Sequence, residues 1–564
     1  MNRTLALSLL AATSIVLGAI YLTQQTPAPG ETSQPENPIE VSRQEPEEVA
    51  CEIETEEVAC ETEEEFFANA DSPFEAANTN ALIGIGGGAG APIHRRSETY
   101  APIEAVTGFK DTLSNPAVTF AADVDTGSYS NLRRMILREG RLPPKDAVRL
   151  EELVNYFPYQ GLEPSGEAPI GASIEVSSCP WAPDHRLAHV VLRTSAIPAG
   201  NRQPANLVFL VDVSGSMNSP SKLPLLKKAM GLLTDELQGR DRVAIAVYAG
   251  AAGLALPSTP CSNKDAIRDG LTALGAGGST AGAAGIELAY EVAAEHFIPG
   301  GINRVILATD GDFNVGISDR EELKTFIQEK ARSGVFLTTL GFGAGNLNDA
   351  LLEQLADHGN GAYAYIDSEL EAKKVLVAEL GSTLEVAAKD VKLQLQIDPE
   401  RFGAHRLLGY ANRRLAHRDF SDDSKDGGEL GAGHEVTALI ELVPRGVALP
   451  ASLEVGAPGD DAAPRGTDSD LELRVRYKTP GGDESRLLTF TAEDHGGVMA
   501  GAPVDLRFAA AVAWFGETLA GDPAAAPWDD LRALAEEGVG ADEGGYRKGF
   551  LELLDGAAHL AGEQ

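Results

Sequence analysis

The chain has 564 residues, 43% of them hydrophobic, and its 84 Asp+Glu against 46 Lys+Arg give a formal net charge of −38. The length suits several domains of ~100–200 residues each, and the hydrophobic share is that of a globular protein. So acidic a surface excludes nucleic acid as a partner, since phosphate binding needs a basic face, and argues against electrostatic docking on anionic lipid.

Residues 1–23 carry the membrane signal. Arg3 precedes an apolar run from Leu5 to Leu22, about long enough to span a bilayer and longer than a usual signal-peptide core. No A-x-A cleavage site follows, and Cys51, the first cysteine, stands too far downstream for lipid attachment. An uncleaved anchor is therefore favoured slightly over a cleaved signal. The lone arginine keeps the N-terminus inside and points to an exported protein in the periplasm or on the outer face of the inner membrane, anchored or secreted.

Residues 24–99 read as a tether. They are rich in Glu and Pro, repeat Glu47–Glu52 (EEVACE) as Glu56–Glu61, and include the glycine-rich stretch Ile83–Gly90. Too few apolar residues are present to build a core, and like charges extend such a chain. Cys51, Cys60, Cys179 and Cys261 form no C-x-x-C pair, which disfavours zinc and thioredoxin chemistry; in an oxidising compartment they allow three disulfide connectivities.

Residues 100–204 are expected to form an α+β, β-rich accessory domain. Strands are predicted at Thr119–Asp125, Ile170–Ser177 and Leu187–Thr194, and helices at Ser128–Glu139 and Lys145–Tyr156. Within 205–389, short continuous apolar runs such as LVFLV (Leu207–Val211), RVAIAVY (Arg242–Tyr248), RVILA (Arg304–Ala308) and VFLTTL (Val335–Leu340) alternate with amphipathic helices. That alternation predicts a doubly wound, mostly parallel α/β sheet covered on both faces. Residues 390–564 return to alternating β patterns and end in helices from Val504, expected to pack as a small separate unit.

Three segments of the α/β region carry candidate chemistry. Asp212-Val213-Ser214-Gly215-Ser216 follows LVFLV, Gly277–Gly282 around Thr280 opens a helix, and Thr309-Asp310-Gly311-Asp312 follows RVILA. In an open parallel sheet, loops after strands gather at the carboxyl edge, where ligands bind. Asp212, Ser214, Ser216, Thr280 and Asp310 offer two carboxylates and three hydroxyls, an all-oxygen set suited to a hard cation. Mg²⁺ is expected, with Mn²⁺ or Ca²⁺ as alternatives.

These residues resemble the metal-ion-dependent adhesion site of the von Willebrand factor A domain. That family uses D-x-S-x-S, a threonine in a second loop and an aspartate in a third, and all three elements are present in order. Asn218 to Asp367, including KLPLLKKAM, GINRVILATDGDFNVG and LADHGNGAYAYIDS, is similar to bacterial YfbK-type envelope proteins. So are the upstream TFAADVDTGSYSNLRRMI and the downstream DVKLQLQIDPERFGAHRLLGY. The resemblance spans roughly Tyr100 to His559. It implies a metal with one open coordination position, filled by an Asp or Glu of a partner protein.

Other signals are read plainly. Asp123–Ser128 lacks an acidic residue at the twelfth position of a calcium loop, where Arg134 stands, and is taken as a strand-to-helix turn capped by Ser128. Gly341–Gly345 reads as a turn, Asp312 as a solvent-facing loop residue, Tyr363 and Tyr365 as residues of a final strand, and Cys179 and Cys261 as buried small residues. His185 and His189 form no triad, for no G-x-S-x-G serine is present. The leading expectation is a non-enzymatic binding module, touching membrane only through the N-terminal segment. An envelope scaffold with a structural metal and a metal-dependent hydrolase are the alternatives.

Overall fold

The computed structural model describes Glu98, Tyr100 and residues 108–563, apart from 123–124, 167, 198, 250–251, 278–281, 312–319, 346, 380–383, 411–414, 424, 426 and 455–467. The apolar run at 5–22, the tether and Cys51 and Cys60 lie outside the described residues. Among those described, no helix is long and apolar enough to cross a membrane.

The first elements are β1 (Lys110–Asp111), β2 (Ala117–Ala121), α1 (Gly127–Arg133, continued as a π-helical turn to Arg138) and α2 (Leu150–Asn155). β3 (Ile170–Ser178) and β4 (Arg186–Thr194) then pair antiparallel.

An α/β unit follows: β5 (Ala205–Asp212), α3 (Leu223–Glu236), β6 (Arg242–Tyr248), β7 (Ala252–Pro260), α4 (Lys264–Ala273) and α5 (Gly282–Glu295). It continues with β8 (Ile302–Thr309), α6 (Arg320–Arg332), β9 (Phe336–Phe342), α7 (Asp349–His358), β10 (Tyr363–Ile366) and α8 (Glu369–Lys373, extended by a π-helical turn to Ala378). The sheet order is β10-β9-β8-β5-β6-β7, parallel except for β7, which pairs antiparallel with β6. One face buries Leu207, Phe209 and Val211 against α3, α4 and α8; the other buries Val208 and Leu210 against α5, α6 and α7. The predicted doubly wound sheet is therefore present. β7 was not anticipated. It contains Pro257 and Pro260, which an edge strand tolerates because its outer N–H groups need no partner.

The chain then adds β11 (Val386–Ile397), β12 (Phe402–Leu408), β13 (Gly428–Gly431), β14 (Glu435–Pro444), β15 (Leu471–Lys478) and β16 (Ser485–Ala492), and ends in α9 (Val504–Ala520), α10 (Trp528–Glu537) and α11 (Tyr546–Gly562). These strands pair with those that precede the α/β unit. One sheet runs β1-β12-β14-β4-β3, and β2 joins β11 beside β13, β15 and β16 in another. The accessory region and the β-rich region after 390 thus share two sheets, with the α/β unit inserted between β4 and β11.

Period-two alternation places these strands. In β4, Ala188, Val190 and Leu192 face the second sheet, while Leu187 and Val191 face the helices. α9 buries Leu506, Phe508, Ala510, Val512, Phe515 and Leu519 in a core that includes Tyr129, Leu153, Tyr156 and Phe157. The terminal helices are therefore not the separate unit expected from sequence. A helix apolar on every side has to be buried all round, and α1, α2 and the sheet supply the cover.

The turn before α1 also differs from expectation. The Ser128 hydroxyl donates to the Ala147 carbonyl at 2.5 Å rather than capping the helix, and the Glu152 carboxylate accepts from the Ser128 N–H at 2.7 Å. Cys179 and Cys261 are buried free thiols, and Tyr363 and Tyr365 are each 1% exposed.

Candidate metal centre

Parallel pairing of β5 with β8 carries their C-terminal ends to the same edge of the sheet. Asp212 is the last residue of β5, and Asp310 directly follows β8; both are 0% exposed. After Asp212 the chain tightens into a 3-10 turn over Gly215–Asn218, pinned by the Met217 N–H to the Ser214 carbonyl at 3.0 Å and by the fully buried Met217 side chain. Ser214 and Ser216 are thereby placed side by side, with hydroxyl oxygens 2.9 Å apart.

Asp212 is held at both oxygens. Its Oδ1 accepts from the Ser214 N–H at 2.8 Å, and its Oδ2 accepts from the Thr309 hydroxyl at 3.1 Å and the Tyr248 hydroxyl at 3.3 Å. Burial pushes this carboxyl above its usual range and the charge of Asp310 adds to the shift, while the bonds from Ser214 and Thr309 pull it back. Asp310 Oδ2 accepts from the Lys222 ammonium at 2.8 Å, with Lys222 side chain 9% exposed.

The loop that carries Thr280 in sequence approaches the first at Gly277. The Gly277 N–H donates to the Val213 carbonyl at 2.7 Å. α5, which starts five residues later, packs so tightly that a Cβ on Gly285 would lie 2.9 Å from Tyr248 Cβ. Thr280 and Asp312 themselves lie outside the described residues. Four of the five predicted ligand positions, Asp212, Ser214, Ser216 and Asp310, are at this edge of the sheet.

The residues fit a divalent cation on the chemistry of the donor set. Two neighbouring oxygens on an octahedral Mg²⁺ with bonds of about 2.1 Å stand about 3 Å apart, and the Ser214–Ser216 separation is 2.9 Å. Among the described residues no cluster of three or more His, Cys, Asp or Glu side chains suited to a metal is present, so the cation would rest on hydroxyls and two carboxylates. Sequence reasoning passed over Thr309, Tyr248 and Lys222. Thr309 was within reach, for it stands beside Asp310 at a strand end; nothing local marked the other two.

His185 and His189 have structural surroundings. His185 Nδ1 lies 2.5 Å from Glu441 Oε1, and His189 packs edge-on against Tyr159 with ring centroids 5.3 Å apart.

Three family descriptions match the chain: von Willebrand factor at residues 94–189, von Willebrand factor type A domain at 206–379, and the C-terminal region of uncharacterized protein YfbK at 382–560. The chain is 41% identical over 457 residues to uncharacterized protein YfbK of Escherichia coli (strain K12), an alignment covering 79% of each. It is 30% identical over 189 residues to inter-alpha-trypsin inhibitor heavy chain H3 of Homo sapiens, covering 30% of this chain and 20% of that one. Among solved structures, the von Willebrand factor type A protein from Catenulispora acidiphila is 15% identical and covers 69% of this chain and 88% of its own, with a TM-score of 0.39.

Proposed function

Because the chain belongs to the YfbK-type family of von Willebrand factor A proteins, we propose that it is a Mg²⁺-dependent protein-binding module of the cell envelope that captures an acidic residue of a partner. The observation that carries this is the Ser214–Ser216 hydroxyl pair, 2.9 Å apart, at the sheet edge where the buried carboxylates of Asp212 and Asp310 also stand.

Each residue has a task in this reading. Ser214 and Ser216 would hold the ion directly, joined by Thr280 of the second loop. Asp212, fixed by Thr309, Tyr248 and the Ser214 N–H, and Asp310 supply its counter-charge. Bound Mg²⁺ would supply one open coordination position for a carboxylate of the partner. Among the described residues no third carboxylate or imidazole joins Asp212 and Asp310 in a cluster that could serve as general base, which supports clamping over catalysis. The export signal read at residues 5–22 supports an envelope location, facing the periplasm.

The test pairs metal with capture. The purified chain is titrated with MgCl₂ by calorimetry, then immobilised and exposed to solubilised envelope proteins in Mg²⁺ or in EDTA, with Asp212→Asn alongside. Mg²⁺ binding, and proteins retained by wild type only in Mg²⁺, are the expected outcome. Mg²⁺ binding with the same retained proteins in every lane would overturn the capture role and leave a structural metal.

A further inference from the structure

We propose that Lys222 is a tethered counter-cation for the metal centre. It holds Asp310 while no divalent ion is bound, is displaced when one arrives, and so sets how tightly the site takes its metal. The inference rests on the metal reading above.

The placement of Lys222 is built rather than incidental. It stands at the residue before α3, where the Leu226 N–H closes onto its carbonyl at 2.8 Å and fixes its backbone. Its stem crosses the loop after β9 at Gly343. That glycine has φ +72°, and a Cβ there would lie 2.3 Å from Lys222 Cε and 2.5 Å from Cγ. The loop is shaped around a lysine stem. At the end of the stem, Nζ meets Asp310 Oδ2 at 2.8 Å.

Charge explains why such a group belongs there. Asp212 and Asp310 are both fully buried, and two buried carboxylates at one loop cluster repel one another unless a cation lies between them. Lys222 supplies one positive charge from within the chain, which offsets one of these two carboxylates. A divalent ion at the hydroxyl pair would share Asp310 with the ammonium. Like charges a few ångström apart in a partly desolvated site repel strongly, and the four-carbon stem of lysine lets the ammonium withdraw. The ion therefore binds against Lys222, and its affinity is lower than the all-oxygen donor set alone would give.

Lys222→Met keeps the stem and removes the charge. The full chain, wild type and variant, is titrated with MgCl₂ by calorimetry and melted in EDTA and in saturating Mg²⁺. Lys222→Met is expected to bind Mg²⁺ about tenfold or more tightly than wild type, to melt lower in EDTA, and to gain more from Mg²⁺. Equal or weaker Mg²⁺ binding by Lys222→Met would overturn the inference and make Lys222 a support for Asp310. If Lys222→Met does not fold, Lys222→Gln, which keeps a donor for Asp310, is read by the same titration. Absence of Mg²⁺ binding in wild type and variant alike would overturn the metal reading itself, a result distinct from wild-type binding that the variant fails to exceed.

Discussion

Arg149, the residue before α2, places its guanidinium 2.8 Å from the carboxylate of Asp349 at the first position of α7, with side chains 3% and 2% exposed. The same guanidinium reaches Glu152 at 2.8 Å and Glu353 at 3.0 Å. One buried cation thus serves carboxylates from both the accessory region and the inserted α/β unit. Nearby, Arg133 of α1 bonds Asp367 and Glu371, and the Tyr156 hydroxyl donates to Glu371 at 2.7 Å. Removing one partner of a buried ion pair costs about 3–5 kcal/mol, because the other charge is left uncompensated. Arg149→Ala is expected to destabilise the chain by that order, measured by urea denaturation. A loss below about 1 kcal/mol would mean the cluster is hydrated rather than buried.

His189 makes stability depend on pH. Burial pushes its pKa down to about 4 from the usual 6.5, with Arg547 adding to the shift and Asp505 opposing it. The folded chain keeps this imidazole neutral where the unfolded chain protonates it, so the unfolded state binds the extra proton between those two values. The stabilisation is complete above pH 6.5 and is lost as pH falls towards 4, by about 3 kcal/mol from this group. His189→Phe, which retains an aromatic face for Tyr159, is expected to flatten that part of the profile. Parallel pH profiles for wild type and variant would contradict the assignment.

Gly516 tests how the terminal helices are packed. Glycine to alanine within a helix ordinarily stabilises by about 0.5–1 kcal/mol. Here a Cβ would lie 2.2 Å from Leu150 Cδ1 and 3.1 Å from Leu153 Cδ1. Gly516→Ala is therefore expected to destabilise by about 1–3 kcal/mol through overpacking. Limited proteolysis of the native chain should likewise fail to release a stable fragment beginning near Val504. A stabilised alanine variant, or clean release of that fragment, would detach α9 from α2.

The α/β unit was legible because its evidence is local. LVFLV, RVAIAVY and RVILA are continuous apolar runs, and Asp212 and Asp310 of the candidate metal centre come just after two of them. The flanking strands were legible individually, but their partners were not. Alternation in β4 says which side chains share a face, not that Thr194 will bond to residue 434 across a separation of 240 residues. β12 was passed over because Phe402–Leu408 mixes glycine, histidine and arginine with its apolar residues. Ser128 looked like a cap because Ser is a common one, yet its hydroxyl donates to the Ala147 carbonyl, and its own N–H donates to Glu152, 24 residues on. Lys222 carried no sign of its pairing with Asp310, since a lysine before a helix reads as a solvated charge. Only the path over Gly343 reveals it.

Inserting the α/β unit between β4 and β11 has a consequence for the order in which the chain is made. The hairpin of β3 and β4 emerges from the ribosome about 240 residues before β14, its neighbour in the sheet. At about 5–20 residues per second the wait is roughly 12–50 s. The α/β unit lies wholly within that interval and has all its strands in hand before β14 appears. The hairpin meanwhile leaves an edge unpaired and apolar faces uncovered, a state prone to aggregation or proteolysis. A chain cut short anywhere before β14 stays in that state, so a truncated product exposes its own incompleteness.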